Sequence, residues 1–256
     1  MQDSAFLAKM FDLTGRTALV TGSSRGIGRS IAMTLGRAGA RVVFHGSRPT
    51  EKLSATVAEA RAFGLDCLEM TADLTDLGQV RRLAEDCARE CPPDILVLNA
   101  SAQKYMTLED LADDEIDREF AANVEAGLIL IRHLLPHLEN QGWGRVITIG
   151  SVNQWRPTPR LLVYAATKSA QLTLVRSLAG SHAAHNVTFN NIAPGIIDTD
   201  RNAQALADKD TAEKLLRQIP AARFGQPDDI AGLALLLASE AGAYINGADI
   251  PVTGGL

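Results

Sequence analysis

Short runs rich in Val, Ile and Leu alternate along the chain with longer stretches in which apolar residues recur every three or four positions. The runs fall at 17–21, 41–45, 66–71, 95–99, 145–149, 188–192 and 250–252, each apolar enough for a strand covered on both faces. The amphipathic stretches fall at 27–38, 49–63, 77–90, 115–139, 163–183 and 228–239, each long enough for a right-handed crossover between parallel strands. This alternation predicts an α/β fold, a seven-stranded parallel sheet with helices on both faces. Gly39, Gly64 and Gly142 each follow a helical stretch, where a left-handed end suits glycine, and Pro92-Pro93 stops the third helix. The least regular stretch, 196–226, lies between Pro194-Gly195 and Pro227. A loop of that length inside a compact domain is usually functional, and a substrate lid with one or two short helices is expected there.

The first strand runs into Thr21-Gly22-Ser23-Ser24-Arg25-Gly26-Ile27-Gly28 and then directly into a helix. Gly22 permits the turn off the strand, Gly26 a close approach of backbone to a pyrophosphate, and Gly28 close contact of helix and sheet. The free N–H groups and dipole of the helix N-terminus favour an anion there. Tyr164 and Lys168 stand four apart on a predicted helix and share its face, while Ser151 follows the C-terminal end of a strand, where open parallel sheets bind ligands. A tyrosine with an ordinary pKa near 10 is a poor acid or base at neutral pH. One ammonium about 4 Å away supplies roughly the 4 kcal/mol needed to lower it by about 3 units. Lys168 is therefore expected to bring the Tyr164 phenol into range, with Ser151 hydrogen-bonding the substrate oxygen.

The spacing Gly-x-x-x-Gly-x-Gly resembles the short-chain dehydrogenase/reductase family, and the resemblance extends along nearly the whole chain. Asp73-Leu74 matches the family's adenine-contacting aspartate after the third strand, Asn99-Ala100 its loop after the fourth, Pro194-Gly195 its motif after the sixth, and Gly254-Gly255 its C-terminal signature. Asn123, Ser151, Tyr164 and Lys168 match its Asn-Ser-Tyr-Lys tetrad. Two motifs depart from the pattern: the family's Asn-Asn-Ala-Gly reads Leu98-Asn99-Ala100-Ser101, and the usual Asp before the terminal glycines reads Thr253. Neither touches the expected chemistry.

The resemblance implies a Rossmann-like, doubly wound single domain over 1–256 and a nicotinamide cofactor held by Gly22, Ser24, Arg25, Gly26, Ile27, Gly28, Asp73, Leu74, Asn99, Ala100, Tyr164, Lys168, Pro194, Gly195, Ile197 and Thr199. It further implies that Lys168 binds the nicotinamide ribose and relays protons, and that Asn123 holds a water or bends its helix.

The second strand ends His45-Gly46-Ser47-Arg48, with no carboxylate where an NAD site wants one. The ribose phosphate of NADP adds about −1.5 to −2 charge, which Ser47 and Arg48, with Arg25, can bind, so NADP(H) is the expected cofactor. Asn153, Gln154, Trp155 and Arg156 make the stretch after Ser151 polar with one aromatic. Ser151, Asn153, Trp155 and Tyr164 are the expected substrate contacts, suiting a sugar, polyol or other hydroxylated ketone. Remaining pocket wall is expected from 103–107. A 3-oxoacyl thioester is the alternative substrate, and a non-catalytic dinucleotide sensor or scaffold the alternative of another class.

Composition adds exclusions. The 256 residues carry a formal net charge of −5, are 46% hydrophobic and 21% charged, and hold no Lys/Arg cluster of the kind that binds nucleic acid. No apolar stretch approaches the roughly 20 residues that span a bilayer, and 1–9 lacks a basic segment followed by an apolar one, so neither membrane nor export is expected and the address expected is cytoplasmic. Cys67, Cys87 and Cys91 read as reduced thiols, and the five histidines as surface residues without metal-site spacing. Apolar residues on more than one face of 115–139 and 163–183, with the family resemblance, imply a homotetramer or homodimer.

Overall fold

The computed structural model describes residues 2–256, with the side chains of all of them except 2–5 and 204. In chain order the elements are α1 (Gln2–Phe11), β1 (Thr17–Val20), α2 (Gly26–Arg37), β2 (Arg41–Gly46), α3 (Glu51–Ala62), β3 (Cys67–Thr71), α4 (Leu77–Glu90), β4 (Ile95–Leu98) and α5 (Asp113–Phe120). They continue as α6 (Ala126–Gln141), β5 (Gly144–Ile149), α7 (Leu162–His182), β6 (Val187–Pro194), α8 (Ala203–Ala207), α9 (Lys209–Leu216), α10 (Pro227–Ala238) and β7 (Asp249–Val252). The strands form one seven-stranded sheet, order β3-β2-β1-β4-β5-β6-β7, every pairing parallel.

The two-residue period of the strands sorts their side chains into two cores. Ala18 and Val20, Val42 and Phe44, Ile95 and Val97, and Ile147 and Ile149 face one layer with Ile31 and Leu35 of α2 and Ile230, Ala234 and Leu237 of α10. Leu19, Val43, Leu96, Leu98 and Val146 face the other, with Val80 and Leu83 of α4, Leu130 and Leu134 of α6, and Val175 of α7. Gly39, Gly64 and Gly142 take the left-handed conformation expected of them, at φ +101°, +75° and +65°.

Four features differ from the sequence expectation. Helix α1 had no counterpart there, because its apolar Phe6 and Leu7 face outward, 65% and 57% exposed. The helix expected over 115–139 is divided: residues Ala121–Glu125 form a π-helical turn between α5 and α6. Asn123 lies at its middle, and its side chain is hydrogen-bonded to Ala102 and Thr167 on two other segments. His45, expected at the surface, is 1% exposed at the end of β2. His133, His137 and His182 are half-buried, leaving His185 as the exposed member. Cys67, Cys87 and Cys91 are buried free thiols, and burial pushes Cys87 up to about 12.

Candidate active site

Strand order reverses direction between β1 and β4, and a cleft of about 580 Å³ opens there across the C-terminal ends of the strands. The glycine loop forms its floor. Gly22 and Gly26 have φ +65° and +55°, and a Cβ on Gly28 would stand 2.4 Å from both Gly22 O and Asn99 Nδ2. Asn99 explains that crowding: its amide donates to Thr21 O (2.9 Å) and Gly22 O (3.1 Å), stapling the β4 loop to the glycine loop. His45 completes the staple. Its Nδ1 accepts from Gly22 N at 3.2 Å, and its backbone exchanges hydrogen bonds with Ser23. Burial holds the imidazole neutral, its pKa lowered to about 4.

Helix α2 begins in this loop with no side-chain cap and no acidic residue in its first turn. Its free N–H groups and positive dipole end fit a pyrophosphate. Gly46 and Ser47 line the adjoining end of the cleft, with no carboxylate on β2 to oppose a further phosphate. The structure thus presents the N–H donors and glycine clearances that a dinucleotide pyrophosphate requires, and no carboxylate on β2 that would repel a further phosphate.

Every residue expected to touch the cofactor lines the cleft except Arg48, which is exposed beyond Ser47 at the cleft rim. Arg25 is spoken for: it pairs at 3.2 Å with Asp200, which also binds Lys52. Asp73 takes hydrogen bonds from the backbone N and the hydroxyl of Thr75, at 2.9 and 2.8 Å, through one carboxylate oxygen.

At the other end of the cleft, α7 presents Tyr164 and Lys168, both buried, with the Lys168 ammonium 5.5 Å from the Tyr164 ring centre. Lys168 Nζ donates to Ile149 O (2.8 Å) and to Gln171 Oε1 (2.9 Å), and burial, then the charge of Arg201, lowers its pKa to about 7. The phenol is pushed up by burial, against which the Arg201 charge and the Ser151 hydroxyl both work. This differs from the sequence expectation, in which Lys168 lowered the phenol. Burial, with the Arg201 charge, disfavours the charged form of Lys168, and its N–H groups are given to Ile149 O and Gln171 Oε1.

Ser151 caps a short 3-10 turn, its Oγ accepting from Asn153 N at 3.1 Å and Asn153 Nδ2 at 3.2 Å. Trp155, expected at the substrate, turns away from the cleft: its indole N–H and the Gln154 amide both donate to Asp249 of β7. Asn123 joins three segments, pairing with Ala102 N (2.7 Å) and O (2.9 Å) and donating to Thr167 Oγ1 (3.0 Å). Sequence reasoning missed Thr167 and Gln171, one before and three after Lys168 on the inner side of α7, and Arg201, which lines the cleft with Gln103 and Tyr105. Among the described residues no group of three or more His, Cys, Asp or Glu side chains can hold a metal ion, and no helix is long and apolar enough to cross a membrane.

A parallel sheet with a phosphate-fitting glycine loop and a Ser-Tyr-Lys group in the same cleft defines a dinucleotide-dependent oxidoreductase. Comparison with known proteins agrees. The family model described as Enoyl-(Acyl carrier protein) reductase matches residues 22–256. Gluconate 5-dehydrogenase of Gluconobacter oxydans is 34% identical over 252 residues, covering 96% of each chain. Among solved structures, a 3-oxoacyl (acyl-carrier-protein) reductase of Agrobacterium tumefaciens with NADP bound is 42% identical, with TM-score 0.94 over 98% of this chain and 97% of that one. A gluconate 5-dehydrogenase of Burkholderia cenocepacia in complex with NADP and tartrate is 33% identical, with TM-score 0.91 over 98% of both. The chain belongs to the short-chain dehydrogenase/reductase family, and it is an oxidoreductase of CH–OH and C=O groups.

Proposed function

We propose that the chain interconverts a secondary alcohol and a ketone in a small hydroxylated molecule, with NADP(H) as hydride carrier. The observation that carries this reading is the meeting of Ser151, Tyr164 and Lys168 in the cleft whose other end is the uncapped start of α2. The bound nicotinamide would supply or accept the hydride. Ser151 Oγ would hold the substrate oxygen, and Tyr164 would take the hydroxyl proton in oxidation and return it in reduction. Lys168, with a pKa of about 7, is poised to hand that proton on, through a position fixed by Ile149 O and Gln171. Asn123 acts on the geometry, locking the β4 loop to α7. The segment 196–226, carrying α8 and α9 and rooted by the Ile197–Gly225 bridge, would serve as the lid.

NADP(H) is favoured over NAD(H) by the missing carboxylate at Gly46 and by Ser47 and Arg48 beside it. The test is a paired absorbance assay: NADPH over ketoses, diketones, aldehydes and 3-oxoacyl esters, and NADP+ over polyols and hydroxy acids. A kcat/KM higher with NADH than with NADPH would overturn the cofactor assignment. Cofactor binding with no turnover across the whole panel would turn the reading toward a sensor. A 3-oxoacyl thioester remains the second substrate reading, supported by the Agrobacterium relative at 42% identity. The chain would work in the cytoplasm as a homotetramer or homodimer, using α6 and α7, where Leu128 and Leu162 lie 38% and 48% exposed. A monomer at micromolar concentration in light scattering would exclude the assembly.

A further inference from the structure

The cationic side chains that line the cleft have unequal fates. Arg25 is paired with Asp200 at 3.2 Å, and Arg118 with Glu115 at 2.6 Å. Lys168 is buried and committed to Ile149 and Gln171. Arg201 is exposed and, among the described residues, has no carboxylate at ion-pairing distance. Its guanidinium donates to Ser101 Oγ and Ser101 O, each at 2.9 Å, and more loosely to Gln103 Oε1 at 3.4 Å.

These acceptors are neutral. They fix the plane of the guanidinium without meeting its charge, and they leave N–H donors over for a ligand. The neighbouring Asp200 faces the other way, toward Arg25 and Lys52 at the phosphate end of the cleft. Two adjacent residues at the root of one segment thus divide the cleft between them. Ser101 is, with Leu98, one of the two positions at which this stretch departs from the family's Asn-Asn-Ala-Gly, and a glycine there would offer no hydroxyl to Arg201. The charge of Arg201 reaches the reacting end: after burial it is the foremost influence on both Tyr164 and Lys168.

We propose that Arg201, oriented by Ser101, is the anion-recognition residue of this cleft and selects substrates bearing a carboxylate, hydroxy acids of the aldonate kind, over neutral polyols and thioesters. The proposal rests on the oxidoreductase reading of the same cleft and narrows its substrate class. Charge-assisted bidentate contact with a carboxylate suits a guanidinium held in one plane.

Calorimetric titration of the NADP+-loaded protein with D-gluconate and L-tartrate, beside uncharged D-glucitol, tests it. Arg201→Gln is expected to weaken the acids by about ten- to a hundredfold and to leave NADP+ affinity unchanged. Ser101→Gly, which keeps the carbonyl but loses the hydroxyl, should give a smaller loss in the same direction, about three- to tenfold. Failure of either acid to bind the wild-type protein overturns the proposal, as does a Kd unmoved by Arg201→Gln or glucitol weakened as much as the acids. Turnover separates it from the reading beneath it. Acid oxidised equally well by Arg201→Gln sinks the role of Arg201 and leaves the oxidoreductase standing. Acid binding that depends on Arg201 without NADP+-linked turnover of any acid or alcohol does the reverse.

Discussion

Burial sets the terms for each titratable group in the cleft. It raises the Tyr164 phenol and lowers the Lys168 ammonium, drawing apart two proton affinities that are nearly equal in free side chains, so that Tyr164 keeps its proton to donate and Lys168 gives its proton up more readily. Tyr164→Phe should therefore lower kcat by about 10²–10⁴-fold, with NADPH fluorescence enhancement and thermal midpoint preserved; full activity in this variant would remove Tyr164 from the chemistry. His45 shows the same physics without catalysis. Its pKa falls to about 4 in the fold from an ordinary value near 6.5, so the unfolded chain binds more protons between those limits, and stability present at neutral pH is lost as pH falls through them. The loss amounts to about 2 kcal/mol between pH 7.5 and 5. Asparagine can keep the acceptor for Gly22 N, so denaturant unfolding of His45→Asn should lack this component. A pH slope identical to wild type would show His45 ionising freely. The Tyr164–Lys168 pair was legible in the sequence because helical spacing alone brings it together. The burial of His45 was not, since it comes from a tertiary contact with Gly22, 23 residues away in the chain.

At the scale of elements, periodicity located the strands and most helices but could not show where a helix changes pitch. The apolar pattern of 115–139 continues through Ala121–Glu125, while the π turn has at its middle one polar side chain with partners on two other segments. Asn123→Ala leaves Ala102 N–H and Thr167 Oγ1 short of a buried partner, at about 1–3 kcal/mol for each group left unmet. It should lower the thermal midpoint and kcat together; a midpoint unchanged would mean that the π turn stands without Asn123. The segment 196–226 is tied to the phosphate end differently, by Asp200 with Arg25 and Lys52 on an exposed surface. Such pairs are worth about 0–1 kcal/mol, so Asp200→Asn should scarcely change stability. It should, however, release two cations beside the glycine loop and raise the NADPH-over-NADH ratio of kcat/KM by roughly threefold or more, an effect that fades with added salt. A ratio unmoved at low salt would place Arg25 and Lys52 out of reach of the cofactor phosphate.

Across the whole molecule, the cleft exists because β1 turns outward to β2 on one side and the chain resumes at β4 on the other, leaving a gap that no crossover fills. The number and parallel sense of the strands were readable from their fully apolar runs, and the glycine loop marked β1 as the strand at the gap. The turning of Trp155 to Asp249 was not readable, because the two lie 94 positions apart and meet only once β7 is seated beside β6. A ligand spanning this gap touches the ends of β1, β2, β4, β5 and β6 at once, so its binding energy becomes stability of the entire sheet. NADPH at about 100 times its Kd should add about 2.7 kcal/mol, which for a chain of this size corresponds to a rise in Tm of about 5–10 °C. NADH at the same concentration should raise Tm less, since Ser47 and Arg48 would find no phosphate on its ribose, and Arg48→Ala should shrink the difference between the two cofactors. Equal shifts for NADPH and NADH in the wild-type protein would mean that the open end of β2 does not discriminate, and that the loss of a carboxylate at Gly46 has merely relaxed the site.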